Sequence, residues 1–244
     1  MKKGNLFVSV EEAQEIISRT IKGATPINLK TENASGFVLA KSLKSPVYSP
    51  LFNHSAMDGY AFRFGDFVKG SHLQIEGESS AGTFYAGKLK SNQAVRIFTG
   101  APIPQGADTV VMQEKTKVLN DKLTIIDSSL KKGSNIRLKG SQIKKGETAV
   151  NKDTLLNPGS IGFIASLGIS EINVFPKPRI AVIVTGDELV SPGETLQPGQ
   201  IFESNSHTLL AALSDDQFHE VTIFRVKDNF NATRKIFDKA IFGF

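Results

Sequence analysis

Apolar positions fall in two rhythms along the chain, and the switches between them mark its organisation. Val10, Ala13, Ile16, Ile17 and Ile21 recur at helical spacing behind Ser9-Val10-Glu11-Glu12, a capping-box sequence in which a hydroxyl takes one backbone donor and a glutamate returns the bond. Gly23 and Pro26 close that helix near Lys22. Ala34, Val38, Leu39 and Ala40 predict a second short helical or mixed segment within 34–46, after which Pro46 and Pro50 force extended chain. From 61 to 148 the rhythm becomes that of short antiparallel strands, with apolar runs at Leu73–Ile75, Ala94–Phe98, Thr109–Gln113, Lys117–Leu119 and Leu123–Ile126 broken by Gly, Asn, Asp and Pro. Asn120-Asp121 between the last two is a hairpin-turn signal.

Helical spacing returns at Asn157-Pro158 with Ile161, Ile164, Ala165 and Leu167, and Gly168 ends it. Pro176 and Pro178 then read as a linker. Ile180 to Val184 is apolar on both alternations, as a parallel strand covered on both faces must be. Behind it, His207 to Leu213 predicts a helix capped by Ser204 or Asn205, Glu220 to Val226 a second strand, and Phe230 to Phe242 a second helix. The order β-α-β-α is half of a doubly wound sheet. The expected fold is therefore α/β and multidomain. A helical linker domain (1–48 and 149–176) holds an inserted, mostly antiparallel β domain (49–148), and the first half of a doubly wound α/β domain (177–244) follows. Two parallel strands lack the neighbours such a sheet needs, so the sequence reads as a truncated protein or fragment.

Composition narrows this picture rather than changing it. The 244 residues are 40% hydrophobic and 22% charged, an ordinary globular mix with room for a core. There is no cysteine, which excludes disulfides and thiolate chemistry and suits a reducing compartment. No run resembles a signal peptide or a membrane span, which makes the cytoplasm the default setting and a membrane partner unexpected. The net charge of +5 is densest at Lys131, Lys132, Arg137, Lys139, Lys144 and Lys145. That patch reads as a solvated loop face, an anion-binding surface or, least supported, a nucleic-acid contact, since no recognition helix or aromatic-basic module accompanies it.

Three polar-rich stretches carry the candidate chemistry. At Thr185-Gly186-Asp187-Glu188 a buried strand ends in a turn-making glycine and two acids. Ligands of open α/β sheets sit outside such strand ends, so the acids suit a metal ion or proton transfer, or they simply solvate the loop. At Asn53-His54-Ser55-Ala56-Met57-Asp58-Gly59 lies a loop whose His54 is either a surface histidine or a ligand, and whose Asp58-Gly59 is either a turn or an acid of the site. At Arg96-Ile97-Phe98-Thr99-Gly100-Ala101 a hydroxyl stands beside backbone donors suited to an oxyanion, as at any strand-to-turn junction. The backbone donors opening the helix at Ser204-Asn205 would likewise attract an anion.

Together these stretches resemble the molybdopterin molybdenumtransferase family, to which the gephyrin E domain belongs. The likeness rests on Ser55-Ala56-Met57-Asp58-Gly59-Tyr60-Ala61, on Thr99-Gly100-Ala101 through Gly106-Ala107-Asp108-Thr109-Val110-Val111 with Gln113-Glu114, and on Thr185-Gly186-Asp187-Glu188-Leu189. Asn135-Ile136-Arg137 and Gly199-Gln200-Ile201 with Ser204-Asn205 add to it. The resemblance implies insertion of molybdate into adenylylated molybdopterin with release of AMP, assisted by Mg2+. It places Asp58, Thr99, Glu188 and Asp228 at catalytic positions, with Glu188 and Asp228 as metal ligands. It places Gly100, Arg137, Gly186, Asp187, Ser204 and Asn205 around the small anionic pterin substrate. It also implies a homodimer whose site is shared between subunits.

Two departures stand out. Gly140-Ser141-Gln142 replaces the family's usual Gly-Glu-Asp, removing two acids, and Glu203 stands where aspartate is usual. The family's later glycine-rich loop and carboxy-terminal β-barrel have no counterpart in these residues. A non-catalytic pterin-binding or scaffolding protein that keeps the fold is therefore the alternative reading.

Overall fold

A computed structural model describes residues 7–21, 23–68, 70 and 72–243. The chain divides into two compact units, one drawing on the segments up to Lys41, Lys152–Ile161 and from Ser170 onward, the other on Ser42–Asn151 and Gly162–Ile169. The first unit opens with α1 (Val10–Thr20), whose first turn is capped as the sequence predicts: Ser9 Oγ accepts the Glu12 N–H at 3.1 Å. Ile21 is the C-cap, and Lys22, where the helix was expected to end, lies outside the described residues.

The expectation of a helical linker domain does not hold beyond α1 and a second helix near 160. After α1 come β1 (Ile27–Lys30) and β2 (Val38–Leu39), where a helical or mixed segment was predicted. The correction has a long-range cause. Val38 and Leu39 pair with Phe175 and Val174, which belong to a strand far along the chain, and Leu39 is fully buried there. No local spacing announces such a partner.

The second unit is a β body, in chain order β3 (Leu43–Lys44), β4 (His54–Ser55), β5 (Gly59–Phe62), the short helix α2 (Phe64–Val68), β6 (Leu73–Ser79), β7 (Gln93–Ile97), β8 (Thr109–Met112), β9 (Thr116–Leu119), β10 (Lys122–Ile125), β11 (Ile136–Arg137) and β12 (Thr148–Val150). Its main sheet has the order β8-β5-β7-β6-β10-β9. Every pairing in it is antiparallel except β6 with β7, which run parallel. Asn120 and Asp121 join β9 to β10 with φ of 50° and 57°, the positive pair that a two-residue hairpin of the right twist requires. Both faces of the sheet are covered: Phe62, Leu73, Ala94, Val111 and Leu123 form one core, and Ala61, Ile97, Ala101 and Val110 form the other. The central strands β5, β7 and β8 are buried on both faces and read as continuous apolar runs, whereas β6 and β10 alternate and β9 is largely exposed.

Helix α3 (Pro158–Ser166) follows, started by Asn157, whose Oδ1 accepts the Ser160 N–H at 2.8 Å. The first unit resumes with β13 (Glu171–Phe175), which completes the antiparallel order β1-β13-β2. Ile172 and Val174 are buried while Glu171 and Asn173 are exposed, a period-two alternation. Next come β14 (Ile180–Thr185), β15 (Leu189–Val190), β16 (Ile201–Phe202), α4 (Asn205–Asp215), β17 (Val221–Val226) and α5 (Phe230–Gly243). β14 and β17 are parallel, from Ile180 opposite Val221 to Thr185 opposite Val226, with α4 and α5 packed on them. This is the expected β-α-β-α arrangement. Among the described residues no helix is long and apolar enough to cross a membrane.

The closest backbone approach in the main sheet occurs at Gly59, where a Cβ would lie 1.8 Å from the Val111 carbonyl oxygen. Replacing it must push β5 away from β8. Gly59→Ala is expected to lower stability by about 3 kcal/mol, read as a fall in the urea midpoint, and an unchanged midpoint would show that the two strands can separate without loss.

Candidate functional site

In the β unit, the loop that leads into β5 meets the turn that leaves β7. Gly59 pairs with Ile97, so Asp58, one residue earlier, emerges beside the Phe98-Thr99 turn. Its Oδ1 accepts both the Thr99 N–H at 2.8 Å and the Thr99 hydroxyl at 2.9 Å. The backbone N–H of Thr99, then its hydroxyl, hold the Asp58 carboxyl below the ordinary aspartate range, and the Arg96 charge acts in the same direction. Asp58 is exposed, so it is an ionised carboxylate aimed outward and fixed from behind.

Thr99 and Gly100 were expected to offer donors to an oxyanion, and the structure shows those donors in use. The single hydroxyl proton and the N–H of Thr99 go to Asp58, and the Gly100 N–H goes to the Ser55 carbonyl at 2.9 Å. Thr99 thus orients the acid rather than standing free. Gly100 has φ of +84°, which turns the chain back toward β4.

Around this pair lies a set of side chains that sequence spacing left unassigned. Arg96 sits with its guanidinium carbon 5.0 Å from the ring centres of both Tyr60 and Phe98. It donates to the Gly59 carbonyl at 3.3 Å and to Gln113 Oε1. Gln113 in turn donates its N–H to the Asp58 carbonyl at 3.1 Å and its amide to Glu114 Oε1 at 3.1 Å. The Glu114 carboxyl is held low by its own backbone N–H first and then by Gln113, while the nearby charge of Asp58 opposes that. Tyr60 is Arg96's partner in the ladder and Phe98 follows the end of β7, so the cluster is made by strand pairing rather than by local spacing.

Other predicted residues of this unit are structural or lie apart. His54 pairs with Arg137 between β4 and β11, and its ring meets Phe52 edge-on at 6.2 Å. Arg137 is exposed on β11. Asp108 caps α2 by accepting the Phe64 N–H at 2.8 Å and pairs with Lys132 at 3.5 Å. Lys139 lies over the Tyr48 ring at 4.8 Å. Gln142, in place of an acid, accepts the Ser49 hydroxyl at 2.8 Å. The amide supplies the acceptor a carboxylate would have supplied, without the charge.

In the other unit, the carboxyl ends of β14 and β17 open into a cleft of about 240 Å³ lined by Val184, Gly186, Asp187, Leu189, Glu203, Arg225, Val226 and Lys227. Gly186 has φ of +149°, and a Cβ there would meet Glu188 Oε2 at 2.8 Å. The missing side chain is what lets Glu188 fold back over the turn. Glu188 and Asp228 leave adjacent strand ends and are both exposed. Among the described residues no group of three or more His, Asp or Glu side chains converges. Glu188 and Asp228 carry carboxylate oxygens of the kind a hard cation such as Mg2+ takes, but neither lines the cleft.

The helix start at α4 differs from expectation. Ser204 is the N-cap but makes no side-chain cap bond, and Ser204 and Asn205 are exposed without lining the cleft. Glu203 does the capping instead. It is 2% exposed, and its carboxylate accepts the Ser206 N–H at 2.7 Å together with the Ser206 hydroxyl. The Ser206 hydroxyl first, then its N–H, hold the Glu203 carboxyl low. The anion at this helix start is therefore the protein's own.

Residues 8–168 match the family profile described as MoeA N-terminal region (domain I and II). The chain is 39% identical over 202 residues to the molybdopterin molybdenumtransferase of Haemophilus influenzae, covering 82% of this chain and 50% of that protein. It is 37% identical over 212 residues to molybdopterin molybdenumtransferase 2 of Mycobacterium tuberculosis, covering 85% and 52%. Among solved structures, the molybdopterin biosynthesis moeA protein of Pyrococcus horikoshii superposes with a TM-score of 0.83 at 30% identity, over 94% of this chain and 62% of that one. The chain spans about half the length of the curated relatives it matches.

The Asp58–Thr99 pairing makes a titration testable. Because the folded pKa lies below the ordinary aspartate value of 3.8, the pairing stabilises the fold above that value and the contribution is lost as the pH falls through the depressed one. In Thr99→Val, which keeps the backbone donor and loses the hydroxyl, the Asp58 carboxyl is expected to titrate closer to 3.8 by carboxyl-carbon NMR. An unmoved titration would mean the hydroxyl does not hold the acid.

Proposed function

Because the chain belongs to the molybdopterin molybdenumtransferase family, we propose that it takes part in inserting molybdenum into adenylylated molybdopterin, with release of AMP and formation of molybdenum cofactor. The observation that carries this reading is the strand-end cleft, whose lining brings Gly186 and Asp187 together with Arg225 and Lys227, Glu188 and Asp228 being the next residues in the chain after Asp187 and Lys227. A site that mixes cations with carboxylates suits a phosphoanhydride accompanied by a metal ion.

In this reading Glu188 and Asp228 would hold Mg2+, which would supply positive charge beside the phosphoanhydride. Gly186 and Asp187 border the pterin and its phosphate, with Gly100 and Arg137 contributing from the β unit, while Ser204 and Asn205 stand outside the cleft. Asp58, kept ionised by Thr99, is the acid the β unit contributes. The working form is proposed as a homodimer in which the two sets of groups come from different subunits. The absence of cysteine suits a cytoplasmic setting. The replacement of two acids by Ser141 and Gln142 favours one competing reading, a protein that holds the pterin or a partner without chemistry.

The test supplies adenylylated molybdopterin and molybdate to the chain alone, and to the chain joined to the remaining half of the Haemophilus influenzae relative, and measures AMP. Glu188→Ala, Asp228→Ala and Asp58→Asn are each expected to cut AMP release by roughly a hundredfold, the scale of losing one charge-stabilising group. Pterin binding with no AMP from either form would favour the non-catalytic reading. Mixing Asp58→Asn with Glu188→Ala subunits should restore part of the activity if the site is shared, and no recovery would reject the shared site.

A further inference from the structure

Arg225 stands out among the groups of the strand-end cleft because its placement is held while most of its donors are not used. It is the fifth residue of β17, and its guanidinium Nη1 donates to the Ser191 hydroxyl just after β15. Its Nη2 lies 3.7 Å from Glu203 Oε2, beyond hydrogen-bond distance. A guanidinium carries five N–H donors in a rigid fork, so one is bonded to Ser191 and the rest remain for a ligand. The side chain is 48% exposed and forms part of the cleft wall.

A purely structural account of Arg225 would make it the counter-charge of buried Glu203. That carboxylate, however, is already satisfied by the N–H and hydroxyl of Ser206. Arg225 adds its charge at 3.7 Å from the same Oε2 that accepts the Ser206 hydroxyl, without a hydrogen bond of its own. Lys227, the first residue after β17, also lines the cleft. The two cations line the cleft together with Gly186, whose missing side chain leaves the room that the Glu188 carboxylate takes.

We propose that Arg225 is the residue that binds the phosphate-type anion in this cleft, its fork steadied by Ser191 and Glu203 and its free donors turned to the ligand. The proposal rests on the reading that the cleft takes a phosphate-bearing substrate, and it adds the residue that selects for that group. A fork that presents parallel donors recognises a phosphate oxygen pair better than a single ammonium does.

The experiment uses the whole chain and inorganic pyrophosphate without metal, followed by isothermal titration calorimetry. The wild-type chain is expected to bind one pyrophosphate saturably, and Arg225→Gln to bind it about tenfold or more weakly. Arg225→Lys, which keeps the charge and loses the fork, should fall between the two. Lys239→Gln, outside the cleft, should bind as the wild type does, and circular dichroism of each variant checks that it is folded. Equal affinity in folded Arg225→Gln, or no saturable binding by the wild type, would overturn the proposal. The outcome is separable from the transferase reading. Arg225-dependent pyrophosphate binding without AMP release from the completed enzyme leaves this inference standing and removes the other. AMP release with Arg225-independent binding does the reverse.

Discussion

Strand β5 is bonded on both sides, and its register decides where the acid of the β unit emerges. Gly59 sits opposite Ile97 on one neighbour and Met112 on the other, with no room for a side chain against the Val111 carbonyl. A slip of one residue would reverse every side chain of the strand, moving Phe62 out of one core and Ala61 out of the other. Because both cores exclude that slip, Asp58 has one place to go. It leaves the sheet level with Phe98, where Thr99 turns and can give it two hydrogen bonds. The position of the acid is thus a consequence of packing on both faces of β5.

In the other unit the constraint is the parallel pair. β14 and β17 end together, at Thr185 opposite Val226, so every polar residue that follows either strand is delivered to one edge. Gly186 then makes the turn tight, and Glu203, by taking the Ser206 donors, ties the start of α4 to the end of β16. A carboxylate that is buried and fully bonded fixes geometry more than it adds stability. Its role is to hold in place a loop that would otherwise move with the helix.

Much of this was legible in the chain's spacing. The capping sequence at Ser9, the turn at Asn120-Asp121, and the strand-helix-strand-helix run from Ile180 onward are local signals, and each lies where the sequence puts it. The sheet β1-β13-β2 was not legible, because Val38 and Leu39 are two apolar residues whose identity as strand depends on a partner at Val174 and Phe175. The site shows the same division. The acids and glycines could be picked out because turns and strand ends demand those residue types. Arg96 between two rings, Glu203 in place of a serine cap, and Arg225 against Ser191 could not, since each role is defined by a contact across chain segments.

The charges of the candidate groups set a condition on any anionic ligand. Asp58 and Glu114 in one unit, and Asp187, Glu188 and Asp228 in the other, would repel a phosphate or molybdate placed beside them. Few cations stand ready to offset this. Arg96 is committed to Gly59, Gln113 and two rings, and Lys132 to Asp108. Arg225 and Lys227 face the strand-end cleft and remain available to a ligand there. A divalent ion at the acid-rich border would lessen that repulsion, and the cations that line the cleft are then what distinguishes the end of the ligand that meets protein from the end that meets metal. The cleft's mixed charge is therefore better suited to one extended anion with two differently charged ends than to a small symmetric one.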